Sequence, residues 1–241
     1  MKRYYKYLIL TITIALLFTG CKPGFSNDTF ETKNIFKESH IFTYERTEDD
    51  IVNDVIYEVT VENGLVSTRV EIDFEEGMFI SASTFNADTL LPISAYKSNT
   101  YDLEPDRNWE INAEYGETLE MVAGTAAERE TKSLELPAYY LDNEGLLFTI
   151  GALSLEEGFE KNINIAIIDA GEIIPFRVSY QGIETIESPY GTFECIKVEM
   201  KYTGLVLGPK PRMYMWYTND GNRYPIQYEN TDVLLSLSKI D

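Results

Sequence analysis

From Val55 onward the chain repeats with a period of two residues, and this rhythm limits its fold more than any other feature. Val55, Tyr57, Val59 and Val61 alternate with Ile56, Glu58, Thr60 and Glu62. Asn63-Gly64 follows, a pair that tolerates the positive φ of a tight hairpin turn. The return stretch places Val66, Thr68, Val70, Ile72 and Phe74 on one face, with Ser67, Arg69, Glu71 and Asp73 on the other. Such alternation is the pattern of a half-buried antiparallel hairpin. Residues 78–85, 93–97, 109–115 and 119–123 predict further strands. So do the alternating sets Ile163/Ile165/Ile167, Phe176/Val178/Tyr180 and Ile196/Val198/Met200/Tyr202. Residues 213–217 lead into Asn219-Asp220-Gly221, a second hairpin-type turn, and residues 224–228 and 233–237 complete the series. The rhythm breaks at residues 139–153. There Asp142 can cap a helix, Glu144 suits its first turn, and Leu146, Leu147, Ile150 and Leu153 form a stripe at helical spacing. The pattern predicts a mainly β (α+β) domain in which about ten antiparallel strands curl around one short helix at 142–153.

The N-terminus carries an address. Lys2, Arg3 and Lys6 precede an apolar run over residues 8–18, and Thr19-Gly20-Cys21 follows, the layout of a secretory signal peptide. Phe18-Thr19-Gly20-Cys21 resembles a bacterial lipobox, with Phe18 where Leu is usual. That resemblance implies a diacylglyceryl group on Cys21 and cleavage just before it. The expected organisation is a signal peptide at 1–20, a lipidated tether at 21–47 and a single β-rich domain at 48–241. The expected partner is the membrane, reached through the acyl chains on Cys21 (palmitate among them), with the domain outside the cytoplasm at the cell surface or in the periplasm. Two chains anchor stably where one is marginal. The tether contains Pro23-Gly24 and the lone His40, read as a solvated residue; Phe30, Ile35 and Phe36 could dock part of it.

The formal charge of the chain is −20, and without the leader 17 basic residues face 40 acidic ones, a charge of −23. A surface this negative excludes nucleic acid and anionic headgroups as partners of the domain body. Glu45, Glu48, Asp49 and Asp50 cluster before the first predicted strand, but no ligand loop with a central Gly accompanies them, so no metal is expected. The chain has two cysteines, and with Cys21 lipidated, Cys195 stands alone in the domain with no disulfide partner. A hydrophobic content of 44% and aromatic content of 13% supply an ample core.

Catalytic chemistry is hard to find. No zinc helix, phosphate loop or nucleophile elbow occurs, and no cofactor is implied. Cys195, read as a semi-exposed thiol at the start of a strand, has no adjacent base to activate it. Glu71 and Asp73 fit the carboxylate pair of a hydrolase by type, but their alternating strand gives them a solvated face. The most suggestive binding feature is Met213-Tyr214-Met215-Trp216-Tyr217. Met213, Met215 and Tyr217 share one face and Trp216 the other, so both faces need a cover or one meets a greasy ligand. Methionine adapts to irregular partners and Trp offers broad contact area.

The second half carries a longer pattern. Gly182, Glu184, Pro189, Gly191 and Phe193 fall in one turn-rich stretch, and Asp220, Arg223 and Pro225 in the next, with Asp142-Asn-Glu-Gly-Leu-Leu-Phe upstream. Together they resemble exported bacterial proteins of the domain-of-unknown-function family 3108, over residues 55–237. The resemblance implies a half-open barrel around a helix, as in lipoprotein-carrier and lipoprotein-receptor domains, with a hydrophobic concavity and no assigned catalytic residue. The residues themselves suit turn-making: Pro189 fixes φ, Gly191 accepts an unusual one, Phe193 anchors the turn, and Arg223 can pair with Asp220 or Glu184. The functional expectation is a non-enzymatic binder of a lipid, acyl chain or lipoprotein segment. The alternatives are a protein-interaction module of envelope assembly and a carboxylate-dependent envelope hydrolase.

Overall fold

The computed structural model describes residues 31–49, 51–74, 76–204 and 211–241. The leader, Cys21, Pro23-Gly24, Phe30 and Asp50 lie outside the described residues. Strands β1 (His40–Glu48), β2 (Ile51–Glu62), β3 (Leu65–Phe74) and β4 (Gly77–Asn86) begin one antiparallel meander. It continues through β5 (Pro92–Tyr101), β6 (Trp109–Tyr115), β7 (Thr118–Gly124) and β8 (Arg129–Glu135). A short β9 (Leu141–Asp142) and α1 (Leu146–Thr149), extended by one 3₁₀ turn at Ile150–Ala152, come next. A second meander runs through β10 (Glu160–Ile167), β11 (Glu172–Ser188), β12 (Gly191–Tyr202), β13 (Arg212–Thr218), β14 (Pro225–Glu229) and β15 (Val233–Ile240).

Pairing of β1 with β15 fuses the two meanders into one sheet of order β8-β7-β6-β5-β4-β3-β2-β1-β15-β14-β13-β12-β11-β10-β9. Every pairing is antiparallel except the short one between β9 and β10. The sheet curves without closing by hydrogen bonds. Its two arms meet through side chains instead: Ile111, Ala113, Leu119 and Met121 from β6 and β7 pack with Ala166 and Ile168 beside the end of β10.

The Asn63-Gly64 turn is as the sequence predicts, with φ of 53° and 77°, the double positive φ that matches a two-residue turn to strand twist. Among the described residues fifteen strands replace about ten, and the extra ones have clear causes. β1 lies inside the segment assigned to the tether and is central in the sheet, so the domain begins before residue 48. Its buried Phe42 and Tyr44 give way to Arg46 and Glu48, which breaks the apolar alternation. β8 has no buried residue, and its Arg129, Glu130, Lys132 and Glu135 mark an edge strand kept polar.

The helix also differs. It covers 146–149 rather than 142–153, and Asp142 does not cap it, because pairing with Ala166 holds Asp142 extended in β9. Leu146, Leu147, Phe148, Thr149 and Ile150 are all buried, so the segment is apolar all round rather than striped. Such a helix belongs inside a core. It fills the hollow of the sheet, with the Phe148 ring 5.5 Å from Phe42 and 5.8 Å from Tyr57. The Tyr217 hydroxyl donates to the Leu147 carbonyl at 2.9 Å. A strap seals the far end of the helix. Thr32 bridges Leu153, the Lys33 N–H donates to the Ala152 carbonyl at 2.7 Å, and Phe36 meets the Phe85 ring edge-on at 5.3 Å.

A side-chain carbon added at Gly151 would sit 2.8 Å from the Tyr217 ring. Gly151→Ala is therefore expected to destabilise the domain by about 1–3 kcal/mol through overpacking. Gly221→Ala, which meets nothing within 4 Å, should change stability by less than about 0.5 kcal/mol. Urea unfolding of the two variants checks the difference.

Candidate functional site

The helix does not fill the hollow completely. A cavity of about 90 Å³ remains between it and the inner face of the sheet. Val55 and Tyr57 of β2, Val70, Ile72 and Phe74 of β3, and Phe79 of β4 form one wall. Leu146 and Leu147 of α1 form the back, and Met213 and Met215 of β13 with Leu235 of β15 form the opposite wall. These residues face inward because the period-two alternation of β2, β3, β13 and β15 points them there. The cavity reaches the surface beside the β1–β2 and β3–β4 turns, where its lining residues Glu48, Ile72 and Phe74 are only half-buried. At 90 Å³ it is smaller than the roughly 150 Å³ apolar cavity that admits benzene. A slender group fits; a bulky one needs the walls to move.

One side of the cavity is polar. Ser81, Lys97, Asn143 and Glu144 line it, and Arg46, ion-paired with Glu48, adds a second cation to the lining. Lys97, on β5, is 1% exposed, and its ammonium donates to Glu144 Oε1 at 3.4 Å and to the Asp169 carboxylate. Glu144 also accepts from the Ser81 hydroxyl and, at 3.2 Å, from Asn143 Nδ2. Asp142 lies next to this group, fully buried, and accepts from the Tyr115 hydroxyl at 3.0 Å. Burial pulls the Lys97 ammonium down, but Glu144 and Asp169 outweigh it and hold the group above its ordinary range. Burial and then the Glu144 charge push the Asp142 carboxyl up to about 7. Burial also raises Asp169, although Lys97 opposes it. Tyr57 borders the same space, and burial followed by the Glu144 charge pushes its hydroxyl up to about 12. Among the described residues no group of acidic, His or Cys side chains is arranged to hold a metal ion.

Met213 and Met215 lie on the cavity, as their alternation suggests. Tyr217 shares their face but is spent on the helix. Trp216 is buried on the opposite face, where its indole donates to Glu184 Oε2 at 3.0 Å and the Lys197 ammonium sits 5.1 Å above its ring. Lys197 also donates to Glu184 Oε1 at 3.0 Å. Both faces of β13 are therefore covered, one by the helix and the other by this cluster.

The turn-motif residues gather at the other end of the sheet. Gly182, with φ of 116°, takes up a bulge where Gln181 is the extra residue of β11. Pro189-Tyr190 connects β11 and β12, Gly191 has φ of 154°, and Phe193 stacks on Tyr190 at 5.9 Å. Asp220 organises a six-residue loop rather than a tight turn, accepting from the Thr218 hydroxyl at 2.7 Å and the Asn222 and Arg223 N–H groups. Arg223 does not form the expected ion pair with Asp220 or Glu184. Its guanidinium is buried, with Nε and Nη1 lacking a hydrogen-bond partner among the described residues. Pro225 opens β14, and its carbonyl accepts from the Tyr44 hydroxyl at 2.8 Å.

Two further readings need correction. His40 is half-buried in β1, not solvated in a tether, and is hydrogen-bonded to the Tyr224 hydroxyl at 3.0 Å. Cys195 is fully buried rather than semi-exposed. The loop after β13 covers its end of the strand, and burial, with Asp220 and Glu194 nearby, pushes the thiol up to about 12. Glu71 is exposed and accepts from Arg69 Nε at 3.0 Å, and Asp73 is exposed beside it; neither lines the cavity.

The profile of a family described as "Protein of unknown function (DUF3108)" matches residues 32–233. No curated protein matches the chain. A beta-barrel-like protein of the domain of unknown function DUF1849 from Brucella abortus shares the fold with a TM-score of 0.56, at 11% identity, over 88% of this chain and 99% of that one. A protein from Parabacteroides distasonis, provisionally assigned as a lipoprotein, aligns with a TM-score of 0.34 at 11% identity, over 90% of this chain and 100% of its own. One from Bacteroides fragilis, provisionally assigned as exported and with a YmcC-like fold, aligns with a TM-score of 0.30 at 13% identity, over 88% and 99%.

The raised Asp142 carboxyl sets a pH dependence. Between the ordinary value of 3.8 and about 7 the folded chain keeps a proton that the unfolded chain loses. This contribution to stability is complete below pH 3.8 and disappears as pH rises through about 7. Asp142→Asn is expected to flatten that fall, by a difference on the order of a few kcal/mol across the window. Urea unfolding of both proteins at a series of pH values measures it.

Proposed function

We propose that this chain, which belongs to the DUF3108 family of proteins of unknown function, is a lipid-anchored extracytoplasmic protein that binds an apolar ligand in the hollow of its sheet. The observation that carries this reading is the cavity. It has three apolar walls, a polar side and an outlet to the surface, and two methionines line it where ordinary core packing would leave no void. Binding sites for small molecules are typically concave and mostly apolar, with a few placed polar groups. The cavity's size favours a slender chain entering end-on. The lipobox-like Phe18-Thr19-Gly20-Cys21 supports anchoring through acyl chains on Cys21.

The reading is of a binding protein and not an enzyme. Its buried carboxylates Glu144 and Asp169 are committed to Lys97, and the inert thiol of Cys195 offers no nucleophile. An assembly module that recruits a partner strand is less well supported. β8 is the exposed edge of the sheet, but its alternating charges guard against strand addition.

Two measurements test the proposal together. Protein purified from its own membrane should carry an apolar molecule detectable by mass spectrometry after denaturation. Val70→Trp, which fills the cavity from β3, should lose that molecule while remaining folded, at a stability cost of about 1–3 kcal/mol. Cys21→Ser should move the protein from the membrane fraction to the soluble one. A wild-type protein that is empty, and that binds no apolar probe when purified, would refute the ligand reading.

A further inference from the structure

The cavity lining holds a hydrogen-bond donor that the fold leaves unused. Tyr57 stands on β2 in register between Phe42 of β1 and Val70 of β3. Its ring closes edge-on against Tyr44 and Phe148, at 5.7 and 5.8 Å. It packs against both the main core and the smaller cluster of Val55, Val70 and Phe79, where the helical plug ends and the cavity begins. Glu144 and Arg46, the charges that act most on its hydroxyl, both belong to the lining. The hydroxyl makes no hydrogen bond among the described residues, and its oxygen is not enclosed by protein atoms. It opens on the cavity.

The neighbouring polar groups are already spent. Tyr44 donates to the Pro225 carbonyl and Tyr217 to the Leu147 carbonyl, while Tyr228, the other tyrosine of the lining, accepts from Asn230 Nδ2 at 2.9 Å. Arg46 holds Glu48 and Lys97 holds Glu144, which also accepts from Ser81 and Asn143. An ionic ligand would enter a space whose charges have partners, and taking an unpaired ion out of water is very costly. A pure hydrocarbon would strip solvent from the Tyr57 hydroxyl and give it nothing in return, and a buried donor without an acceptor is costly too. A carbonyl accepts and does not donate, so it meets that need and creates no other. Because burial pushes the hydroxyl up to about 12, Tyr57 stays a donor near neutral pH.

We propose that the cavity binds an alkyl chain bearing an uncharged carbonyl, with the Tyr57 hydroxyl donating to the carbonyl oxygen and the chain lying against Val70, Ile72, Phe74 and Phe79. The inference rests on the ligand-binding reading above and specifies the polar group that the ligand carries. An acyl ester and an N-acyl amide present the same carbonyl.

Methyl pentanoate, N-methylpentanamide, heptane and pentanoate share a slender chain and differ in what they offer Tyr57. Each is titrated at about pH 7 into isotopically labelled Cys21→Ser protein, which needs no detergent, and into the same protein carrying Tyr57→Phe. Binding is read from the amide shifts of β2–β4. Tyr57→Phe keeps the ring and removes only the hydroxyl, so it should weaken the ester and the amide about three- to tenfold and leave heptane unchanged. Pentanoate should bind more weakly than its methyl ester. In the protein that retains Tyr57, the infrared carbonyl stretch of bound methyl pentanoate should lie below its position in hexane, a reading that stands whether or not the variant folds. An unshifted stretch, an equal loss for ester and heptane, no loss at all, or pentanoate binding as tightly as its ester would overturn the carbonyl inference and leave the apolar-ligand reading intact. Binding of heptane alone would do the same. Binding by none of the four would overturn both. Tighter binding of the ester than of the amide assigns an acyl ester as the source, and the reverse an N-acyl amide.

Discussion

A long antiparallel sheet that curls must cover its concave face, and here seven residues do it. Leu146 to Ala152 enter the hollow as α1 and its 3₁₀ extension, and all are buried. The larger side chains among them each contribute about 1.5–3 kcal/mol by leaving water. Together they are of the order of the net stability of an ordinary domain. The rest of the frame is arranged to hold this plug. Tyr217 reaches up to the Leu147 carbonyl, Gly151 makes room for the Tyr217 ring, and the strap at Thr32–Lys33 pairs with the chain leaving the helix. The pairing of β1 with β15 then lets both meanders wrap the same short segment.

The plug's shortness explains the cavity. Two turns of helix cover the sheet against β1 and β13, but not along the full length of β2–β4, whose strands run ten to twelve residues. The uncovered strip is lined by Val, Ile and Phe on the strands, and by Ser81 and Lys97 where β4 and β5 pair. A buried ionic group of this kind is poor value as stabilisation, since well-packed hydrophobic residues of similar volume generally do as well or better. It sits beside the void and supplies the polar side of its lining.

The frame was largely legible in the sequence and the polar group was not. Asn63-Gly64 announces its turn because each residue individually tolerates the φ required, and β2, β3 and β6 follow from alternation that needs no partner to be seen. Trp216 was correctly placed opposite Met215 by the same count, although the Lys197–Glu184 pair that covers it comes from other strands. Lys97, Glu144 and Asp169 are brought together from three separate stretches by the curl of the sheet, so no local pattern contains them. One local hint existed. Ser81 and Ser83 on β4 pair with Lys97 and Ala95 on β5, and small side chains on a strand leave room that a long neighbour can enter. Asp142 misled for a physical reason as well: a carboxylate before an apolar run is the usual sign of a helix cap, but here a short parallel pairing with β10 claims its backbone first. Cys195 was misplaced because its cover is a loop, and alternation says nothing about loops.

The family-like turn pattern and the cavity lie at opposite ends of the same strands, and this separation bears on what the pattern can mean. Antiparallel register puts the β11–β12 turn at Pro189-Tyr190 and the Asp220 loop beside the start of β1, whereas the cavity opens at the end of β1, near Glu48. The contacts made at the motif end are structural: Tyr190 N–H to the Leu237 carbonyl, Tyr44 to the Pro225 carbonyl, His40 to Tyr224. They tie β1, β12, β14 and β15 together below the helix. Residues of this kind fix the curvature of the sheet, and through it the existence of a hollow, without touching what occupies it. Chains that share the turn pattern should therefore share the frame. The character of the hollow itself is set independently, by the residues that β2 to β5 and the segment before α1 place along it.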